Sequence, residues 1–179
     1  MTFDWESTFE HPKLIVIAGR PCTGKTTMAL KLAQKIVGTG NVAVIENDDC
    51  TSRKEFERQL SQNTGKSVLV VDTIQKLIEQ MGEEDDEFII NELKRFVEEN
   101  RCNVIVTSEL TRDVEERMPH FPSVFDLIPP TGRTKAMFDM FGAIYRESYY
   151  EIGGCNDTCL IFKDADDNVT FVLTDKGGN

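Results

Sequence analysis

The feature that most constrains this chain is a short glycine-rich segment near its N-terminus. An apolar run reaches Gly19, and after four intervening residues come Gly24, Lys25 and Thr26. A helical pattern with apolar residues on one face begins directly afterwards. A strand, then G-x-x-x-x-G-K-T, then an amphipathic helix is the context of a phosphate-binding loop. The segment therefore predicts a site for a nucleoside triphosphate.

Each residue type in this segment has a physical reason. Glycine permits backbone torsions that a side chain would forbid, so successive N–H groups can turn towards an anion. The positive end of the helix dipole adds to this attraction at Lys25. Lys25 is expected to reach the β- and γ-phosphates, and the Thr26 hydroxyl is expected to ligate Mg²⁺. The predicted nucleotide-binding segment consists of Gly19, Arg20, Pro21, Cys22, Thr23, Gly24, Lys25, Thr26 and Thr27.

Length and composition narrow the class of protein. The chain has 179 residues, of which 40% are hydrophobic and 28% are charged, as in an ordinary soluble globular protein. We expect one main domain, residues 13–175, between an N-terminal arm at 1–12 and a flexible tail at 176–179. Neither a membrane span nor a signal peptide is apparent, so the cytoplasm is the expected location.

The charge balance bears on nucleic-acid binding. Lys and Arg number 20 against 31 Asp and Glu, which gives a net charge of −11. Proteins that hold nucleic acid through its phosphates usually present a basic face. The balance therefore argues against strong autonomous DNA binding.

Short apolar runs alternate with helical patterns along the rest of the chain. Strands are expected at 41–46, 67–72, 104–108 and 141–145, and the runs 157–163 and 168–174 are expected to pair as an antiparallel hairpin. This order predicts an α/β fold, with a mostly parallel central sheet flanked by helices and a C-terminal antiparallel hairpin.

Two carboxylates end predicted strands, at the sheet edge where ligands of such folds collect. Asp72 closes the run Ser-Val-Leu-Val-Val-Asp and is expected to hold Mg²⁺ together with Thr26. Glu46 closes Val-Ala-Val-Ile-Glu and is expected to activate the attacking water. With Lys25, these are the predicted catalytic residues. The alternative for both carboxylates is an ordinary strand end without a catalytic role.

Several of these motifs resemble those of the DnaB-type replicative DNA helicases of bacteria and phages. The segment Ala-Gly-Arg-Pro-Cys-Thr-Gly-Lys-Thr-Thr is similar to their phosphate loop, in which Arg-Pro is characteristic. Val-Val-Asp-Thr-Ile-Gln-Lys-Leu resembles their second nucleotide motif, and Thr-Ser-Glu-Leu-Thr-Arg resembles their Ser-Gln-Leu-Asn-Arg segment. The similarity spans residues 13–174.

The resemblance implies a RecA-like P-loop ATPase core that uses ATP and Mg²⁺. It implies a role in DNA replication and unwinding, as a hexamer around single-stranded DNA or together with a partner chain. It also implies that Tyr145 and Arg146 lie near the nucleotide base.

Some positions depart from the helicase pattern. Only about 25 residues separate Glu46 from Asp72, so the helical subdomain of the helicases is missing here. Glu109 stands where the helicases have the glutamine that senses the γ-phosphate, and a carboxylate there would repel phosphate unless it is protonated or turned away. In the terminal hairpin Lys163 remains, but Ala165 replaces an arginine that reaches the neighbouring subunit. Because an arginine finger contributes about 10³–10⁵ in rate in other nucleotidases, we expect weak hydrolysis.

Two other functions stay open. A non-motor ATP-dependent switch or interaction protein would keep the nucleotide site without the motor, and the acidic charge, Glu109 and the missing arginine favour it. A small-molecule P-loop kinase would suit the size of the chain, with Arg112, Arg117 and Arg133 in the long loop after the fourth strand.

Overall fold

The computed structural model describes residues 8–38, 40–46, 50–82, 86–116, 122–123, 126–128, 137–150, 153–163 and 169–175. Its strands are β1 (Leu14–Gly19), β2 (Val42–Glu46), β3 (Val68–Asp72), β4 (Asn103–Glu109), β5 (Met140–Tyr145), β6 (Thr158–Lys163) and β7 (Val169–Asp175). Its helices are α1 (Lys25–Val37), α2 (Arg53–Gln62), α3 (Ile74–Met81) and α4 (Asp86–Asn100), with short 3₁₀ helices at Arg112–Glu115 and Glu147–Tyr149.

The seven strands form a single sheet in the order β2-β3-β4-β1-β5-β6-β7. The pairings from β2 to β5 are parallel, and β6 and β7 continue the sheet in antiparallel pairings. The predicted α/β fold with a C-terminal antiparallel hairpin is therefore confirmed. The position of β4 between β1 and β3 matters most for the site, because it brings the ends of three strands together beside the glycine-rich loop.

Both faces of the sheet are buried, which explains the continuous apolar runs of its strands. Along β1, Leu14, Val16 and Ala18 face one core and Ile15 and Ile17 face the other, as the two-residue period of a strand requires. The first core contains the apolar faces of α2, α3 and α4, and the second contains that of α1. Among the described helices, none has the length and hydropathy needed to cross a membrane.

Candidate nucleotide-binding site

The loop between β1 and α1 has the backbone of an anion cradle. Cys22 and Gly24 have positive φ angles of 61° and 84°. The Thr23 N–H and hydroxyl both donate to the Arg20 carbonyl, at 3.3 and 2.7 Å, which closes the loop on itself. At Gly19 an added Cβ would lie 2.6 Å from the Thr23 hydroxyl oxygen, so this position has no room for a side chain. The conformation agrees with the requirement for glycine that the sequence predicted.

Lys25 is the buried cation of this loop. Its side chain is only 8% exposed. Its Nζ donates to the Arg20 carbonyl at 3.1 Å and lies 3.8 Å from Glu109 Oε1. Burial lowers the pKa of Lys25 below its ordinary value, and the negative charges of Glu109 and Asp72 oppose that shift. A bound polyphosphate would supply this amine with further negative charge.

Asp72 is held from two sides by hydroxyl groups. Thr26 Oγ1 donates to Asp72 Oδ2 at 2.6 Å, and the Thr107 hydroxyl donates to Asp72 Oδ1. The sequence predicted that Thr26 and Asp72 act together, and the structure brings them into contact. A hydroxyl and a carboxylate at the mouth of a phosphate loop are the oxygen ligands that Mg²⁺ prefers, so these two residues fit the ion. The sequence predicts no role for Thr107. The feature that could have drawn attention to it is a polar residue near the end of an apolar strand.

These groups line an open pocket of about 620 Å³. Its size lies in the usual range for small-molecule and cofactor sites. The lining residues come from the loop, α1, the end of β3, α3 and the end of β4: Cys22, Gly24, Lys25, Thr26, Thr27, Asp72, Thr73, Gln75, Lys76, Glu79 and Glu109.

Among the predicted site residues outside the glycine-rich loop, Glu46, Tyr145 and Arg146 do not line this pocket. Glu46 is exposed at the end of β2, the edge strand, where it pairs in register with Asp72. Tyr145 stacks on Tyr150, with ring centroids 5.6 Å apart. Arg146 donates to the Thr158 hydroxyl through Nε at 2.9 Å. The roles of Glu46, Tyr145 and Arg146 stay predictions.

Two contacts join the phosphate loop to distant segments. An Arg20 guanidinium nitrogen lies 2.7 Å from Glu115 Oε1, which ties the loop to the 3₁₀ helix after β4. The Tyr149 hydroxyl donates to the Cys22 carbonyl at 3.1 Å, and the guanidinium of Arg146 lies 5.2 Å from the centroid of the Tyr149 ring. No local pattern in the sequence marks Glu115 or Tyr149 as a site residue, because each contact joins residues that lie far apart in the chain.

Some predictions fall on residues outside the described part of the chain. These include the replacement of the arginine by Ala165, and Arg117 and Arg133 of the long loop, on which the kinase alternative depends. The tail at 176–179 and most of the arm at 1–12 also lie outside it. Lys163 ends β6, and Arg112 begins the 3₁₀ helix as an exposed residue.

Comparison with known proteins finds an NTPase family and replicative helicases, in agreement with the phosphate-loop geometry of the site. The family model described as novel STAND NTPase 3 matches residues 3–124. The replicative DNA helicase DnaC of Bacillus subtilis (strain 168) is 25% identical over 206 aligned positions, which cover 80% of this chain and 45% of the helicase. The chain thus spans a little under half the length of this curated relative. The resemblance to replicative helicases that the motifs indicated is confirmed.

Solved structures share the fold at low sequence identity. A DnaB-like replicative helicase, in a structure that describes its interactions with primase, has a TM-score of 0.70 and 19% identity, covering 90% of this chain and 54% of that chain. The RadB recombinase has a TM-score of 0.60 and 12% identity, covering 94% of this chain and 90% of that chain. These neighbours establish a RecA-like fold, and a fold by itself does not decide function.

Proposed function

Because this chain belongs to the novel STAND NTPase 3 family, we propose that it binds ATP with Mg²⁺ in the pocket beside the glycine-rich loop and hydrolyses it weakly. Lys25 would contact the β- and γ-phosphates, and the backbone of the loop would hold the phosphate chain. Thr26 and Asp72 would hold Mg²⁺, which supplies charge neutralisation at the phosphates.

One observation carries this proposal. Lys25 and Thr26 begin α1, and Asp72 ends β3, 46 positions after Thr26, yet all three line one pocket. The Thr26 hydroxyl lies 2.6 Å from Asp72, and Lys25 is buried beside them. Burial disfavours the charged amine of Lys25, and the carboxylates of Glu109 and Asp72 oppose that effect, so a bound triphosphate would add further stabilising negative charge beside it.

Hydrolysis needs a residue that activates the attacking water, which binding of ATP does not. Glu46 stays the prediction from the motif pattern, as a carboxylate at the end of a strand. Glu46 is exposed on the edge strand, whereas Glu109 lines the pocket, so separate replacement of the two carboxylates tests which of them hydrolysis depends on.

We extend the proposal to a helicase-related role in DNA replication, in the cytoplasm, in which the chain acts as an oligomer or with a partner chain. The relationship to replicative helicases supports this extension. The test is the ATPase rate with and without single-stranded DNA, with the mass of the particle measured in the same buffer. Turnover that rises with DNA and with assembly supports a motor, and turnover indifferent to both argues against one.

A second candidate is a nucleotide-dependent switch, and specific contacts favour it. The Lys25–Glu109 and Arg20–Glu115 ion pairs connect the phosphate loop to the end of β4 and to the 3₁₀ helix that follows. A triphosphate bound at Lys25 would compete with Glu109 for the amine. Binding would therefore weaken the Lys25–Glu109 ion pair and change how the segment after β4 is held. This candidate would be supported by tight ATP binding with almost no turnover, together with a change in the hydrogen exchange of the amides at 112–116 when ATP binds.

A further inference from the structure

We propose that Glu109, at the end of β4, is the carboxylate that accepts the proton of the attacking water. The inference rests on the proposed function, since it requires ATP in the pocket. It assigns to Glu109 the role that the motif pattern predicts for Glu46.

The order of the strands gives Glu109 its position. Because β4 lies between β1 and β3, its last residue stands between the glycine-rich loop and Asp72. Glu109 pairs in register with Gly19, the first residue of the loop motif. Glu46 ends β2, three strands from β1, which is a lateral separation of roughly 14 Å at about 4.8 Å per strand. Glu109 is thus one strand from the phosphate loop, and Glu46 is three.

The contact with Lys25 places the Glu109 carboxylate at the phosphate end of the pocket. Its Oε1 lies 3.8 Å from Lys25 Nζ, and Lys25 is the residue that reaches the β- and γ-phosphates in this motif. This distance exceeds the roughly 2.7–2.9 Å of a direct charged hydrogen bond. The carboxylate is therefore near the amine without a direct hydrogen bond to it.

The other carboxylates described in the pocket lining are less suited to the role. Both oxygens of Asp72 already accept hydrogen bonds, from Thr26 and Thr107, as expected of a residue that holds a metal ion. Glu79 lies on α3 and is exposed. The backbone of Glu109 is fixed by the hydrogen bond from the Ile128 N–H to its carbonyl, at 3.0 Å, while its side chain keeps 37% exposure. The main chain of Glu109 is thus held in place, and water can reach its side chain.

The chemical step balances without a further reactant. The oxygen of the attacking water forms a bond to the γ-phosphorus as the proton of that water passes to a Glu109 carboxylate oxygen. The bond between the γ-phosphorus and the β–γ bridging oxygen breaks, and ADP leaves with the electron pair. Glu109 then returns its proton to solvent or to the released phosphate.

The test measures ATP binding and single-turnover ATP hydrolysis on the full chain, with Mg²⁺ present. The variants are Glu109→Gln, Glu109→Asp and Glu46→Gln, and Glu99→Gln on the exposed side of α4 is the control. We expect Glu109→Gln to lower the hydrolysis rate by about 10²-fold or more, the scale of lost general-base catalysis. Its affinity for ATP should be equal or higher, because one negative charge facing the triphosphate is gone. Glu109→Asp should retain more activity than Glu109→Gln, and Glu99→Gln should stay close to wild type. The rate of Glu46→Gln measures how much the alternative carboxylate contributes.

Hydrolysis by Glu109→Gln at or above the wild-type rate would overturn the inference and leave the proposed function intact. ATP binding by the wild type with no phosphate release above the blank would overturn the inference together with the proposed hydrolysis, and would leave only the proposed binding site. A rate loss confined to Glu46→Gln would return the role to Glu46. Failure of the wild type to bind ATP at all would overturn the proposed function, and this inference with it. Should Glu109→Gln fail to fold, the ratio of rates between Glu109→Asp and wild type decides, and an equal rate contradicts the inference.

Discussion

The Thr26 hydroxyl donates a 2.6 Å hydrogen bond to Asp72 Oδ2 across 46 positions of sequence. The contact exists because α1 starts where the loop after β1 ends and β3 lies only two strands away in the sheet. From the strand between them, Thr107 donates to the other oxygen of the same carboxylate. The start of α1, the end of β3 and the C-terminal part of β4 thus converge on one carboxylate, beside the loop where Mg²⁺ is proposed to bind.

Replacing Asp72 with Asn tests the proposed role of this carboxylate in holding Mg²⁺. The amide keeps the shape of the side chain but removes the charge that would hold Mg²⁺. ATP affinity in the presence of Mg²⁺ should fall by about tenfold or more, roughly 1.4 kcal/mol or above, while affinity in the presence of a chelator should change little. Titrations with and without Mg²⁺ measure both. Asp113→Asn, at an exposed position, is the control, and an equal loss with and without Mg²⁺ would contradict the assignment.

Gly24→Ala separates a conformational effect from a binding effect. Gly24 has a φ of 84° and no atom within 4 Å of an added Cβ, so alanine there is strained without a clash. Gly65 has a φ of 83° and equally open surroundings in the turn after α2, which makes Gly65→Ala a matched control. Each change should lower the free energy of unfolding by about 1–2 kcal/mol. Only Gly24→Ala should also weaken ATP binding, and equal ATP affinities in the two variants would contradict the role of the loop.

Glu115→Gln tests the link between the phosphate loop and the segment after β4. Hydrogen exchange of the amides at 112–116 should change when ATP binds to the wild type, because Arg20 holds Glu115 at 2.7 Å. In Glu115→Gln that response should be largely lost. The overall stability should fall by no more than about 1 kcal/mol, since the pair is partly exposed. Glu116→Gln, at the next exposed position, should respond like the wild type, and an unchanged response in Glu115→Gln would argue against the switch.

Ala165→Arg tests the expectation of weak hydrolysis that comes from the helicase resemblance. If copies of the chain meet as in those helicases, the new guanidinium should reach a neighbour's phosphates and raise the ATPase rate as protein concentration increases. The rate should be measured over a range of protein concentrations, with Ala165→Lys as the control for charge alone. A vigorous, DNA-stimulated ATPase in the unmodified chain at nanomolar concentration would contradict the expectation.

The sequence was sufficient for the features that depend on local pattern. The loop at Gly19–Thr27, the apolar strands and the terminal hairpin each have a signature within a few residues, because strand and helix periods and glycine conformations are local properties. The pairing of Thr26 with Asp72 could be predicted as well, since both residues end or follow strands whose shared edge is known for parallel sheets.

The contacts of Glu109 and Arg20 could not be predicted in this way. They depend on the order of strands in the sheet, and no period in the sequence encodes that β4 lies beside β1. From the motifs alone, Glu109 is a carboxylate in place of a glutamine, which would repel phosphate unless it is protonated or turned away. The structure shows its carboxylate beside the buried amine of Lys25, a relationship across 84 positions that only the assembled sheet creates.

The central claim is that Lys25 forms part of a site for ATP, and calorimetric titration of Lys25→Ala with ATP and Mg²⁺ tests it most directly. Lys31→Ala, an exposed position on the same helix, is the control. We predict that the wild type and Lys31→Ala bind ATP with similar affinity, and that Lys25→Ala, although folded, loses most of that affinity because the charge aimed at the β- and γ-phosphates is absent. Unchanged affinity in a folded Lys25→Ala variant would contradict the claim.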